Sequence, residues 1–184
     1  MSSSDDFDVV FICSGNRFRS PIAEAVLRRE AKGLPVRVRS FGTMELPSGH
    51  ALSEAIELAP GYGLDLMSHR SRSIAGEDLS DADLVIGFEQ IHVSMAVIGA
   101  GAQRERTFLI AELVAGLDES APLQESGVVD RARAAVRQAD EARKAAPGTP
   151  QEIADPIGGP AAGYRKTGDE VYRLTARLAV RLFG

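Results

Sequence analysis

Short apolar runs and helical stripes alternate along this chain. Val9, Val10, Phe11 and Ile12 form a continuous apolar run, the pattern of a strand buried on both faces of a parallel sheet. Ile22, Ala23, Val26, Leu27 and Ala31 then recur at helical spacing. VRVRS at 36–40 alternates apolar and basic residues, which predicts a second strand nearer a sheet edge. A helix is expected from His50 to Tyr62, with Leu52, Ala55, Ile56 and Ala59 on one face and Gly61 and Gly63 ending it. DLVIGF at 83–88 reads as a third buried strand, Ile91 to Ile98 as a helix, and RTFLI at 106–110 as a fourth strand. Strands alternating with helices at this pace predict an α/β fold, a single doubly wound four-stranded parallel sheet flanked by helices.

The rhythm breaks at 116–150. Gly116 to Gly127 reads as loop, and the Ala-rich, highly charged stretch after it as a helix with a thin stripe of Val128, Ala132, Ala135, Val136 and Ala139. Asp130, Arg133, Arg137 and Glu141 suit a solvated face, so this segment is expected to be a helical surface insertion. PGTPQ at 147–151 returns the chain to a loop around Asp155-Pro156, and Val171, Leu174, Leu178 and Leu182 mark an amphipathic closing helix. Residues 1–6 read as a disordered start, and 1–184 as one domain.

Residues 13–21, CSGNRFRSP, carry the chemistry. A buried strand ends at Cys13 and turns straight into a helix start, where Ser20 is expected to cap and Pro21 to take the first helical position. The first turn of a helix presents unpaired N–H groups and the positive end of its dipole. A loop whose N–H groups point inward adds a nest for phosphate-like oxygens. Gly15 can take a positive φ, and Asn16 tolerates that region better than most residues, so either allows the sharp bend. Arg19 offers a planar fork for two oxyanion oxygens. Cys13, at the bottom of this positive bowl, is favoured as a thiolate nucleophile, and Ser20 could donate its hydroxyl to it.

Composition narrows the setting. The net charge of −5 argues against a nucleic-acid partner, and the one cysteine excludes an internal disulfide. No apolar run approaches membrane-spanning length, and the acidic start is unlike a signal peptide, so the expectation is a cytoplasmic protein with no membrane partner. His50, His69 and His92 lack metal-site spacing and read as surface or helix-end residues; no metal or cofactor is expected. Arg37, Arg39, Arg70 and Arg72 read as solvated faces, and Tyr164 and Tyr172 as packing residues beside the closing helix.

The Cys-x5-Arg-Ser pattern after a buried strand resembles the signature of the low-molecular-weight protein tyrosine phosphatases. SFGT at 40–43, HRSR at 69–72, ADLVIGFEQ at 82–90 and Asp155-Pro156 are similar to stretches of that family in the same order. The resemblance implies hydrolysis of a phosphorylated protein or a small phosphoester, releasing inorganic phosphate. Cys13 would be the nucleophile, Arg19 and the loop from Ser14 through Gly15, Asn16, Arg17 and Phe18 the phosphate cradle, Asp155 the general acid and then base, and Ser20 the group that steadies the thiolate. Three positions depart from the family: Phe18 stands for its second loop cysteine, Arg17 for an apolar residue, and Ile157 and Gly158 for the aromatic after Asp-Pro. The mouth is therefore more basic and less aromatic than a phosphotyrosine slot. Two alternatives share the bowl: arsenate reduction coupled to a small cellular thiol, and a non-catalytic phospholigand binder. The oligomeric state is open.

Overall fold

The computed structural model describes residues 6–120, 125, 127–145, 148 and 151–184. Most of the expected start at 1–6, and parts of the expected loops at 116–127 and 147–151, lie outside the described residues. Four parallel strands, β1 (Phe7–Cys13), β2 (Val36–Gly42), β3 (Leu84–Gly87) and β4 (Thr107–Leu109), form one sheet in the order β2-β1-β3-β4. Every residue of β1 is buried because it runs between two neighbours and is covered on both faces. Period-two alternation sends Phe7, Val9 and Phe11 into one apolar layer and Val10 and Ile12 into the other. β2 is an edge strand, as its alternation predicts.

The larger layer holds α1 (Arg19–Glu30), α4 (Ile110–Glu119), α5 (Val128–Ala145) and α6 (Ala161–Phe183). Between them in sequence come α2 (Ser53–Leu58), continued by a 3-10 turn at Ala59–Tyr62, and α3 (Gln90–Ser94), continued by a π turn at Met95–Gly99. The expected 50–62 and 91–98 helices are thus present in shortened or mixed form.

Two sequence expectations fail here. RTFLI is a strand only to Leu109; Ile110 opens α4, which continues through Gly116 instead of leaving a loop there. Ile110, Leu113, Val114 and Leu117 are buried at i, i+3, i+4 and i+7, and that stripe outweighs one helix-breaking glycine. Nor is α5 a solvated insertion. Ala132, Ala135, Val136 and Ala139 join the main core, because small side chains let α5 lie close to α4 and α6. Its Arg133 donates to Asp83 at 2.8 Å, tying the helix to the start of β3. Arg37 and Arg39 are not free either, since both clasp the buried carboxylate of Asp8 (2.9 and 2.6 Å). Arg72 donates to the Ser40 carbonyl and lies over the Phe41 ring. Among the described residues no helix is long and apolar enough to cross a membrane.

Parallel register aligns the carboxyl ends of the strands: Cys13 sits opposite Gly42, and Ile12 opposite Gly87. Chains leaving this edge converge on one crevice, as they do in open parallel sheets.

Candidate active site

The loop after β1 bends at Asn16, whose φ of 53° is the only positive value on a non-glycine residue among the described residues. Of the two residues read as able to take this bend, Asn16 does so and Gly15 has no positive φ. Asn16 holds the left-handed conformation because every polar group on it is engaged. Its Nδ2 donates to Ser20 Oγ (2.9 Å) and Ser40 Oγ (2.7 Å), its Oδ1 accepts the Arg72 N–H (2.8 Å), and its carbonyl accepts His69 Nε2 (2.8 Å). Ser40 in turn donates to the buried carboxylate of Glu24. Burial pushes the His69 imidazole below its ordinary value, which keeps it neutral and suited to this single donation. Gly42 makes the bend possible from outside: a Cβ there would fall 2.8 Å from the Ser14 carbonyl oxygen and 3.0 Å from the Asn16 nitrogen.

Cys13 lies inside this loop, buried, with Ser20 Oγ 3.0 Å from its sulfur and the Asn16 N–H donating to it at 3.2 Å. Ser20 Oγ accepts from Asn16, and its own proton is free to turn to Sγ when the sulfur is a thiolate. Ser20 is not the helix cap expected of it. The helix starts at Arg19, with Phe18 at the cap position and no side-chain cap bond. The serine has been diverted from capping to the sulfur. The N–H groups of Ser14, Gly15, Arg17 and Phe18 make no backbone hydrogen bond among the described residues, which leaves them for an anion.

Phe18 is buried edge-on against Tyr164 of α6, with ring centroids 5.3 Å apart. The Tyr164 hydroxyl accepts the Gly158 N–H, so one aromatic pair seats both the loop and the Asp155 segment. That segment is also held by Ile153 N–H on the Phe88 carbonyl and by an Asp155 Oδ1 turn to the Ile157 N–H. Arg17 Nη2 donates to the Pro47 carbonyl at 2.8 Å.

Arg19 joins the pieces. Its guanidinium is 1% exposed; Nη1 donates to Glu89 (2.5 Å) and the Ile153 carbonyl (2.7 Å), and Nη2 to Ser14 Oγ (3.0 Å) and Asp155 (2.6 Å). The structure therefore brings together Cys13, Ser14, Asn16, Arg19 and Ser20 of one loop with Asp155, from a stretch more than a hundred residues later.

Glu89 and His92 are site residues that the sequence reading missed. His92, read as a surface or helix-end residue, does stand in the first turn of α3 but is wholly buried, because α3 turns it back under the loop to meet Ser14 Oγ at 3.1 Å. Its imidazole is pushed down to about 4, chiefly by burial and next by the Arg19 cation. Since the unfolded chain takes up this proton near the ordinary value of 6.5 and the folded chain resists, stability is expected to fall as pH drops from about 6.5 to about 4. The loss should approach about 3 kcal/mol. Urea unfolding across that range checks it, with His92→Asn expected to flatten the slope.

A family model described as low molecular weight phosphotyrosine protein phosphatase matches residues 8–125. The chain belongs to this family. The match ends before Asp155, but longer likenesses run past it. A protein-arginine-phosphatase of Bacillus subtilis is 29% identical over 177 residues, covering 95% of this chain and 96% of that protein. The low molecular weight protein-tyrosine-phosphatase Etp of Escherichia coli is 31% identical over 104 residues, 56% of this chain and 69% of Etp. Among solved structures, the YwlE arginine phosphatase of Geobacillus stearothermophilus superposes with a TM-score of 0.70 at 27% identity, covering 96% of this chain and 92% of that one. The low molecular weight protein tyrosine phosphatase of T. tengcongensis gives 0.70 at 28%, covering 96% and 100%. Like the family, this phosphatase is a cysteine-dependent enzyme on a four-stranded parallel sheet.

Proposed function

We propose that this phosphatase hydrolyses phosphotyrosine-type phosphoesters on proteins through a phosphocysteine. The observation that carries the reading is the sulfur of Cys13, which has two hydrogen-bond partners at the floor of a loop rich in unpaired N–H groups, with Arg19 and Asp155 paired above it. A phosphate entering the bowl competes with Asp155 for Arg19 Nη2, which frees the carboxylate to take up a proton from solvent and to turn toward the leaving oxygen. Sγ attacks phosphorus as the P–O bond breaks, and Asp155 gives its proton to the departing oxygen. Water then attacks phosphorus with its proton passing to Asp155, the P–S bond breaks, and Cys13 leaves as thiolate onto the Ser20 and Asn16 donors. Loop N–H groups and Arg19 hold the equatorial oxygens in both steps.

Relatives act on two kinds of substrate by name, and the mouth favours the ester. Arg17 sets a guanidinium in the loop itself, which repels the cationic guanidino group of phosphoarginine and attracts a phosphoester flanked by acidic residues. Leu46 packs over Gly15 and Ile157 stands exposed beside Asp155, an apolar rim suited to an aryl group.

A panel of an aryl phosphate, phosphotyrosine peptides, phosphoarginine and arsenate with a small thiol tests this. Phosphotyrosine peptides should be turned over fastest; faster turnover of phosphoarginine, or thiol-dependent arsenate reduction without hydrolysis, overturns the substrate assignment. Asp155→Asn should slow poor leaving groups by roughly 10²–10⁴-fold and activated aryl phosphates far less. Equal slowing of both contradicts the role of Asp155.

A further inference from the structure

The hydroxyl of Ser14 has a hydrogen-bond balance that can be closed atom by atom. Nδ1 of His92 accepts two backbone N–H groups, from Phe88 (3.3 Å) and Glu89 (3.1 Å), so that nitrogen carries no proton. The ring proton is therefore on Nε2, which donates to Ser14 Oγ at 3.1 Å. Arg19 Nη2 donates to the same oxygen at 3.0 Å. Two donors occupy both lone pairs of the hydroxyl. Its own proton finds no acceptor among the described residues, on a loop whose other free donors surround the phosphate bowl.

The ring is locked in this orientation. Glu89 and His92 form a reciprocal cap at the start of α3, the carboxylate accepting the His92 N–H and the imidazole accepting the Glu89 N–H. Gly87 lets the turn close, since a Cβ there would lie 2.9 Å from the His92 Cβ. Flipping the imidazole would put Cδ2–H against the Phe88 and Glu89 N–H groups, leaving both buried donors unpaired, and would carry Nε2 away from Ser14.

We propose that Ser14 Oγ–H is an additional donor to the transferring phosphoryl group, and that His92 is the positioning residue that aims it. The proposal rests on the phosphate-bowl reading above and extends it from backbone donors to a side chain. Arg19 Nη2 bonds both Ser14 Oγ and Asp155, which puts this hydroxyl on the acid's side of the bowl, where the leaving oxygen and later the attacking water stand. Charge grows on the phosphoryl oxygens there during transfer, so a preoriented neutral donor strengthens in the transition state.

The competing role is structural, with Ser14 doing no more than seating Arg19. Inhibition by inorganic phosphate and by orthovanadate separates the two, because vanadate copies the five-coordinate transition state and phosphate the ground state. Ser14→Ala should lower kcat on an aryl phosphate about tenfold or more and weaken vanadate by a similar factor, while phosphate weakens only slightly. His92→Leu should cost about the same in the native background and almost nothing more in the Ser14→Ala background. His92→Gln, whose amide nitrogen reaches the place of Nε2 and can still donate to Ser14, should keep more of the activity than His92→Leu. Equal weakening of phosphate and vanadate by Ser14→Ala, unchanged kcat, or a His92→Leu cost that persists undiminished in the double variant overturns the proposal. If His92→Leu does not fold, the Ser14→Ala and His92→Gln results decide alone. Absence of Cys13-dependent turnover in the native chain would instead remove the underlying enzyme reading.

Discussion

Cys13→Ser is expected to abolish phosphoester hydrolysis, with a loss on the order of 10⁴-fold or more that no leaving group rescues. A serine oxygen would occupy the same floor and could still accept from Ser20 and the Asn16 N–H, so the loop should keep its shape. What disappears is the sulfur nucleophile, which leaves easily from phosphorus in the second step. Phosphate and vanadate should still bind the bowl. Retained folding with lost turnover is therefore the expected pattern, read by thermal unfolding beside a stopped aryl phosphate assay. Turnover within tenfold of the native chain would place the nucleophile elsewhere.

Arg19 should show an equally large effect, with stability and activity separable. Its guanidinium is buried between two carboxylates and a carbonyl oxygen. Arg19→Ala leaves Glu89 and Asp155 without their cation and should cost about 3–5 kcal/mol of stability, the penalty for breaking a buried pair by removing one partner. Activity should fall by roughly 10³–10⁵-fold, the range for removing an arginine that holds a transferring phosphoryl group. Arg19→Lys restores the charge but not the fork. One ammonium cannot donate to Glu89, Ile153, Ser14 and Asp155 together, so most of the stability should return and little of the activity. Denaturant titration and steady-state kinetics on the two variants separate these terms. Full activity in Arg19→Lys would mean that the charge alone matters, and that the planar geometry does not.

Much of this site was legible before any coordinates. A both-sides-buried strand is a continuous apolar run, and β1 is one; Cys13, Asn16, Arg19, Ser20 and Pro21 follow within nine residues, so local spacing alone marks the loop. Asp155 needed the family resemblance, because an Asp before Pro is common in any turn. Glu89 and His92 left no such mark. Their roles arise across space, from 70 residues of separation between Arg19 and Glu89 and 78 between Ser14 and His92, and nothing in a helix-start histidine says that it will face inward. Ser20 was read both as a helix cap and as a partner of the sulfur, and only the second role is found. Its local environment is that of a helix cap, whereas the sulfur seven residues earlier competes for the hydroxyl and wins.

The two errors in secondary structure have a common origin. Ile110 was assigned to the preceding strand, which removed the first member of the Ile110, Leu113, Val114, Leu117 stripe and left Gly116 to look decisive. The charges of α5 then appeared to lack a partner. With α4 restored, the alanine face of α5 has a surface to cover, and Arg133 has Asp83 to meet.

Rapid quenching of the enzyme with an aryl phosphate, followed by peptide mass analysis, bears most directly on the chemistry. Use of Asp155→Asn should slow hydrolysis of the intermediate enough to let it accumulate. The expected result is one phosphoryl group on the peptide that contains Cys13, formed in a burst before steady turnover and absent from Cys13→Ser. A burst with phosphate on any other residue, or turnover with the Cys13 peptide unmodified at every time point, would contradict the account.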